Sequence, residues 1–462
     1  MLEQYEIIVI VMLSAFILTL FTGFPVAWLL GGLSFIFAGI GVYGAEFYDL
    51  DTYFMNDWSR FGSIVDRVWS LMENWVLVAL PMFIFMGLML ERSGIAENLM
   101  QKFIQVFGRF RGGLALAVVI IGILLAASTG IVGASVVLLA VLSMPIMLQQ
   151  NYSKAFSSGV CASAGTLGIL IPPSIMLVIM ADQLSLSVGN LFMGALVPGV
   201  MLGLLYITYI LVAANIKPNL APAPTGLPPI TGKLIFETLL AVVPPIVLIL
   251  AVLGSIFFGI ATPTEASGIG AFGATVLAFA NKKLNWKVID EVGRQTMLTT
   301  AFIFGIFLGA SAFALAMRWL GGDAFIEHVL TSLPLPDVGI VVFILFLAFL
   351  AGFFLDWLEI TLIFLPLMAP VVAGLDLDVL GLGGEDQLYW FVVLFAVSLQ
   401  TSFLTPPVGF SLFYLKGVVP PGVTTMDIYK GIIPFVLLQL TAIALVFFFP
   451  DLVLWLPEVA YG

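Results

Sequence analysis

Apolar residues along this chain recur in blocks of roughly 20, the length that crosses a bilayer as a helix, and polar residues fall mostly between the blocks. The pattern predicts simple spans near residues 5–22, 24–43, 75–91, 190–213, 234–256, 265–280, 295–317 and 431–449. Four more apolar blocks are interrupted. Residues 113–148 and 338–373 break near the middle at Ser128-Thr129-Gly130 and at Asp356-Trp357-Leu358-Glu359, so each reads as a re-entrant hairpin. Residues 156–180 and 388–416 break at GTLGILIPPS (165–174) and TSFLTPPVG (401–409). Proline lacks an N–H and clashes with the preceding turn, so Pro172-Pro173 and Pro406-Pro407 each predict a discontinuous helix.

The interrupted blocks repeat in order. A lead-in span (75–91), a hairpin (113–148) and a broken helix (156–180) recur as 295–317, 338–373 and 388–416, with the two Pro-Pro sites 234 residues apart. The chain thus divides into N-terminal scaffold helices with an interfacial segment (1–74), a first repeat (75–213), a cytoplasmic connector with scaffold helices (214–294), a second repeat (295–416) and a C-terminal scaffold helix (417–462). Trp58, Trp69 and Trp75 among charges mark the interfacial segment, and KPNLAPAPTGLPPITGK (217–233) reads as the connector, too rich in proline to be helical.

Composition agrees. Hydrophobic residues make up 61% of the 462 and charged residues 9%, with mean hydropathy +1.18, against about 45–50% and about 25% in soluble domains. An all-α polytopic membrane protein is expected. Net charge −11 argues against nucleic acid. One cysteine, Cys161, and one histidine, His328, cannot build a disulfide or a Cys/His zinc cluster. The start MLEQYEII carries Glu3 and Glu6 and no basic run, so a helix rather than a cleaved signal is expected. If the hairpins return to the side they enter and ten segments cross once, 13 of the 16 basic residues face the cytoplasm, leaving Arg60, Arg67 and Arg318 outside. Both termini are then periplasmic, and the two repeats are inverted.

Paired interrupted segments in inverted halves point to a transporter's midplane binding site. Unwound backbone at membrane depth survives where it is buried in protein or meets water or an ion. Carbonyls and hydroxyls suit a hard cation such as Na+, and helix N-termini suit a carboxylate, so the expected cargo is an organic anion moved with Na+. Asp356 and Glu359 share a helix face at the second hairpin tip; they either hold a cation or proton, or face water. Glu265 reads as a helix cap after Thr262-Pro263-Thr264, and His328 as a solvated loop residue.

Four stretches carry a resemblance: PMFIFMGLMLERSGIAENL (81–99), GTLGILIPPS (165–174), GIATPTEASGIGAFGA (259–274) and LTPPVGFSLF (404–413). Together they resemble the large membrane subunit, the DctM-type permease, of tripartite ATP-independent periplasmic (TRAP) transporters. RGGLALAVV (111–119) and LLAASTGIVGASVV (124–137) are similar to the mannitol/chloroaromatic-like branch, whose members accompany binding proteins for 2-oxo acids, lactate and similar carboxylates. The resemblance implies an inverted-repeat elevator in the bacterial inner membrane, with a small membrane subunit of about four helices and a periplasmic substrate-binding protein as partners. It implies Na+ ligands at Gly352, Ser402, Thr405 and Val408, and by symmetry at Ser128, Gly130, Gly165, Gly168 and Ser174. Thr129, Thr166, Pro172, Pro173, Asp356, Pro406, Pro407 and Gly409 complete the implied substrate and hairpin-tip set. Ser402 stands where relatives commonly have glycine.

The chain contains no GxxxxGK[ST] phosphate loop, so uptake is expected to draw on an ion gradient. No nucleophile, base and metal set lies on a span, and an enzyme is not expected. The expected function is the permease of a Na+-coupled, binding-protein-dependent importer of a small organic acid. The alternative is a stand-alone Na+/carboxylate symporter or Na+/H+ antiporter of the same architecture.

Overall fold

The computed structural model describes residues 3–129, 132–224 and 231–461; for 125–129 and 461 it describes the backbone alone. Among the described residues every regular element is helical, as hydrocarbon requires of a backbone that must satisfy its own hydrogen bonds. The chain opens with α1 (Gln4–Leu20) and α2 (Val26–Tyr48), then α3 (Trp58–Gly62) and α4 (Ile64–Glu73). After α5 (Ala79–Arg92) and the amphipathic α6 (Ile95–Phe107) come α7 (Gly113–Thr129) and α8 (Val132–Gln149), the arms of the first interrupted block. The next are α9 (Lys154–Thr166), α10 (Ile175–Gln183), α11 (Val188–Ile216), α12 (Gly232–Phe257), α13 (Pro263–Ala280), α14 (Trp286–Trp319) and α15 (Gly322–Thr331). The second interrupted block is α16 (Asp337–Ala351), α17 (Trp357–Glu359), a π-helical turn (Ile360–Phe364) and α18 (Leu365–Ala373). It is followed by α19 (Glu385–Leu404), α20 (Phe410–Val418), α21 (Thr425–Phe448) and α22 (Asp451–Tyr461).

Among the described residues seven helices are long and apolar enough to cross a membrane, or eight if the segments Trp58–Glu73 and Val76–Arg92, bent by 57°, form one span. The sequence pattern predicts ten crossings, and the difference has local causes. The seven include α8, an arm of the first hairpin; of the expected crossings α1 has 17 residues, α5 counts only with the bent pair, α9 and α10 are each cut short by the first Pro-Pro, and α13 begins on the polar PTEAS. The interfacial segment is two short helices rather than one, and their exposed Trp58 and Trp69 lead to Trp75 at the bend.

Packing sorts the helices into two groups. α2 with α14, α5 with α13, and α6 with α12 form a frame, to which α7 is joined through α5 and α6. The other group centres on α9, which packs against α7, α8 and α21, while α19 packs against α16 and α21. The lead-in helix of the second repeat therefore groups with the frame, and α21, expected as scaffold, groups with the broken helices. Glycine is the reason for the second assignment. A Cβ on Gly431 would lie 2.8 Å from the Ala155 carbonyl carbon and closer still to its oxygen, and one on Gly159 would meet the Gly431 carbonyl in the same way. Close backbone approach through small residues is how helices associate where the solvent is as apolar as they are.

The GIATPTEAS motif is structural. Thr262 and Glu265 form a reciprocal capping box at the start of α13, and the Thr264 hydroxyl donates to the Trp75 carbonyl at 2.8 Å, tying α13 to the bend before α5. His328 differs from expectation: it lies on α15 rather than in a loop, and its Nδ1 is 3.4 Å from the buried Glu6 carboxylate.

Candidate functional site

The Pro-Pro breaks interrupt the helices at the places their chemistry demands. α9 ends at Thr166, a short 3-10 turn covers 167–169, and α10 restarts at Ile175. α19 ends at Leu404 and α20 restarts at Phe410, with Gly409 at φ +52° between them. Gly409 is needed there, because a Cβ adds steric strain in the left-handed region. Both Pro-Pro bonds are cis.

The hydroxyls at the breaks spend their protons locally. Ser174 Oγ donates to the Ile169 carbonyl at 2.6 Å, Thr166 Oγ1 to Ser163 at 2.8 Å, Ser402 Oγ to Leu399 at 2.7 Å and Thr405 Oγ1 to Thr401 at 2.8 Å. A hydroxyl has one proton and two lone pairs, so each of these oxygens keeps acceptor capacity for a cation.

Each break lies against its own hairpin. A Cβ on Gly165 would meet the Val136 backbone on α8 at 2.8 Å, and one on Gly122 of α7 would meet the Ala164 carbonyl at 3.0 Å. In the second repeat a Cβ on Gly352, at the turn after α16, would fall 2.7 Å from the Ser402 Cβ and nearer still to its hydroxyl, while Ser398 Oγ donates to the Leu345 carbonyl of α16 at 3.1 Å. Gly133, beside the first hairpin's tip, faces the ring of Tyr414 on α20. Gly130 and the Ser128 and Thr129 side chains lie outside the described residues.

The two breaks also touch each other. Gln400 Nε2 donates to Thr166 Oγ1 at 3.2 Å, and the partners are 234 residues apart, the same offset that separates the two Pro-Pro pairs. The bond therefore joins corresponding positions of the two interrupted segments directly. Around it Tyr206 of α11 lies beside Thr166 and Gln439 of α21. All four side chains are fully buried; the Tyr206 hydroxyl is directed at Thr166 and the Gln439 amide, while Gln400 Oε1 has no partner among the described residues. Sequence reading missed Gln400, Tyr206 and Gln439. The usable signal was a glutamine inside each of two otherwise apolar spans.

The breaks are not equally enclosed. Residues 165–180, including Gly168, Pro172, Pro173 and Ser174, are all buried. Pro407 and Val408 are exposed, Val408 by 42%, and line a cavity of about 270 Å³ with Lys416 and Tyr429. Thr405 and Pro406 are half-buried between these extremes. At the second hairpin, Asp356 precedes α17 without a side-chain capping bond and is half-buried, whereas Glu359 is buried with Oε2 unpartnered among the described residues. Glu359 therefore does not face water, which was one of its two expected placements. It borders an apolar cavity of about 470 Å³ against Leu13 and Phe16 of α1.

Residues 13–452 match the family described as tripartite ATP-independent periplasmic transporter, DctM component. The chain is 29% identical to the C4-dicarboxylate TRAP transporter large permease protein DctM of Vibrio cholerae, over 84% of this chain and 87% of that one. It is 26% identical to the sialic acid TRAP transporter large permease protein SiaM of the same organism, over 94% and 98%. A 26% match to the ectoine/5-hydroxyectoine large permease UehC of Ruegeria pomeroyi covers 88% and 91%. Among solved structures the YdaH transporter of Alcanivorax borkumensis shares the fold, with TM-score 0.59 at 14% identity over 86% of this chain and 88% of that one.

Proposed function

Because this chain belongs to the DctM component family of tripartite ATP-independent periplasmic transporters, and so is the large, multi-pass permease of a binding-protein-dependent system in the inner membrane, we propose that it imports a small organic acid anion together with Na+. The observation that carries this reading is the convergence of both breaks and both hairpins, joined at Thr166 and Gln400, with hydroxyl oxygens whose protons are already committed. Neutral oxygens at the ends of half-helices are how broken membrane helices hold Na+. Ser402, Thr405 and the Gly352 backbone would serve one ion, with the exposed Val408 carbonyl at its edge. Ser128, Gly130, Gly165, Gly168 and Ser174 would serve the equivalent ion in the first repeat. The half-helix N-termini after Pro173 and Pro407 would face the carboxylate.

The breaks and hairpins would slide as a unit against the frame, in an elevator cycle, with the small membrane subunit on the frame and a periplasmic binding protein delivering the acid. Both termini would be periplasmic. Each charge moving inward gains about 2.3 kcal/mol per 100 mV of membrane potential, so two or more Na+ per anion make uptake electrogenic and downhill.

The test is uptake of labelled pyruvate, lactate and succinate into proteoliposomes holding this chain and its small subunit, with and without binding protein and an inward Na+ gradient. Uptake is expected only with both. Uptake with Na+ but no binding protein would favour the stand-alone symporter; uptake indifferent to Na+ would remove the coupling ion. Thr405→Ala and Ser128→Ala are each expected to raise the Na+ concentration for half-maximal uptake several-fold with membrane insertion intact. An unchanged Na+ dependence in both variants would take those positions out of the ion sites.

A further inference from the structure

Away from the breaks, a second polar cavity of about 140 Å³ is lined by Arg67, Arg318, Gln183, Ser311, Leu362 and Pro366. Arg67 comes from α4, Ser311 and Arg318 from the last turns of α14, and Gln183 closes α10. Leu362 lies in the π-helical turn of the second hairpin, and Pro366 just follows it. The cavity therefore sits on the seam between the frame and the broken-helix group. A π-turn needs tertiary support to persist and is found often at functional sites.

Charge makes this seam unusual. Arg67 and Arg318 are two of the three basic residues that the topology leaves on the outer side, and both line the same small cavity. Arg318 Nε donates to Asp323 at 2.8 Å, which offsets one positive charge. Arg67 has no carboxylate within ion-pairing distance among the described residues; its neighbour on the helix is Asp66. Asp182 accepts from Asn74 Nδ2 at 2.5 Å and from Gln183 Nε2 at 3.3 Å and is not part of the cavity lining. Among the described residues the lining itself offers two guanidinium groups, the Gln183 amide and the Ser311 hydroxyl and contains no carboxylate. The planar guanidinium fork matches a carboxylate.

We propose that this cleft is a carboxylate-binding vestibule, in which Arg67 and Arg318 hold a small organic acid at the outer mouth before it reaches the breaks. The proposal rests on the permease reading and names a substrate size for it. A volume of about 140 Å³ is well below the roughly 300–1,000 Å³ of sites for drug-sized ligands, so the cleft admits an acid of a few carbons and excludes a bulky sugar acid. Its placement also couples it to movement. When the broken-helix group slides, Gln183 and Leu362 leave with α10 and the hairpin while the two arginines stay on the frame, so the cleft opens and the acid is released.

The experiment is phenylglyoxal labelling of the full chain with its small subunit in proteoliposomes without Na+, read residue by residue by peptide mass spectrometry, in pyruvate, lactate, succinate or chloride at equal ionic strength. At least one of the acids is expected to slow labelling of both Arg67 and Arg318 several-fold, with Arg92 and Arg294 at the opposite end unaffected and chloride without effect. Equal protection by chloride, or none by any of the three acids, overturns the vestibule. Uptake of the same acids is measured in parallel with Na+ and binding protein: uptake without protection defeats the vestibule and leaves the permease reading standing, while protection without uptake does the reverse. In the variant arm, Arg67→Gln is expected to raise the substrate concentration for half-maximal uptake several-fold while the maximal rate is kept, and Arg67→Lys to recover part of the shift. A loss of maximal rate alone, with half-saturation unchanged, would also overturn the proposal.

Discussion

Substituting Gly431 by valine is expected to stop the chain from reaching a folded, detergent-stable state. The glycine is where α21 crosses α9, and a Cβ there would overlap the Ala155 carbonyl. Backbone cannot rotate aside as a flexible side chain can, so the two helices would have to separate. Overpacking a core ordinarily costs ~1–3 kcal/mol, and here the clash also undoes the seating of α9, the element that carries Thr166 and the first break. The checks are the monodisperse yield on size exclusion and the Tm in detergent. Gly305→Ala, where a Cβ would meet nothing within 4 Å, is the control and should behave as the parent chain. A parent-like Tm for Gly431→Val would show that α9 and α21 do not meet at this pair.

Gly352→Ala is expected to abolish uptake while leaving the protein folded. The turn after α16 presents Gly352 to Ser402 with no room for a methyl group, so the added carbon pushes the hairpin tip off the second break and disperses the oxygens of Ser402 and the Gly352 backbone. A second substitution makes the prediction sharper. Ser402→Gly removes the side chain that the new methyl meets, so the double variant Gly352→Ala/Ser402→Gly should recover a substantial share of the lost uptake rate. Residues in contact are where non-additivity of this kind is expected. If the double variant is as inactive as Gly352→Ala alone, the loss does not arise from this contact. Ser402→Gly by itself is informative as well: it tests whether the serine that stands in place of a glycine common among relatives contributes its hydroxyl to the ion, through the Na+ concentration that half-saturates uptake.

The Thr166–Gln400 bond joins the two breaks directly. Thr166 and Gln400 belong to different repeats, and their bond lies in a fully buried setting where loss of a polar partner is costly. The asymmetry in exposure, with the first break enclosed and Pro407 and Val408 open to a cavity, is compatible with a unit that presents its two breaks to opposite sides in turn.

Much of this molecule was legible from residue order, because each of those features is a local property. Helix existence follows from apolar blocks that must satisfy their own backbone, and the interruptions follow from Pro-Pro, which no neighbour can repair. The expected breaks at 165–174 and 401–409 fall at the observed ends of α9 and α19, and the Thr262-Glu265 cap is read directly from its spacing. What residue order could not supply was which elements lie together. Nothing local distinguishes α21 as a partner of α9 from α21 as scaffold; that depends on Gly159 and Gly431 facing each other across two helices far apart in the chain. The same holds for Gln400, whose importance comes from reaching Thr166 over 234 residues, for Glu359, which lies on a segment packed by α14, and for Arg67 and Arg318, which line one cavity only because α4 and the end of α14 meet at the same seam. Local conformation is set by each residue's own sterics and polarity, whereas long-range contacts depend on the summed packing of surfaces that no short stretch of chain contains.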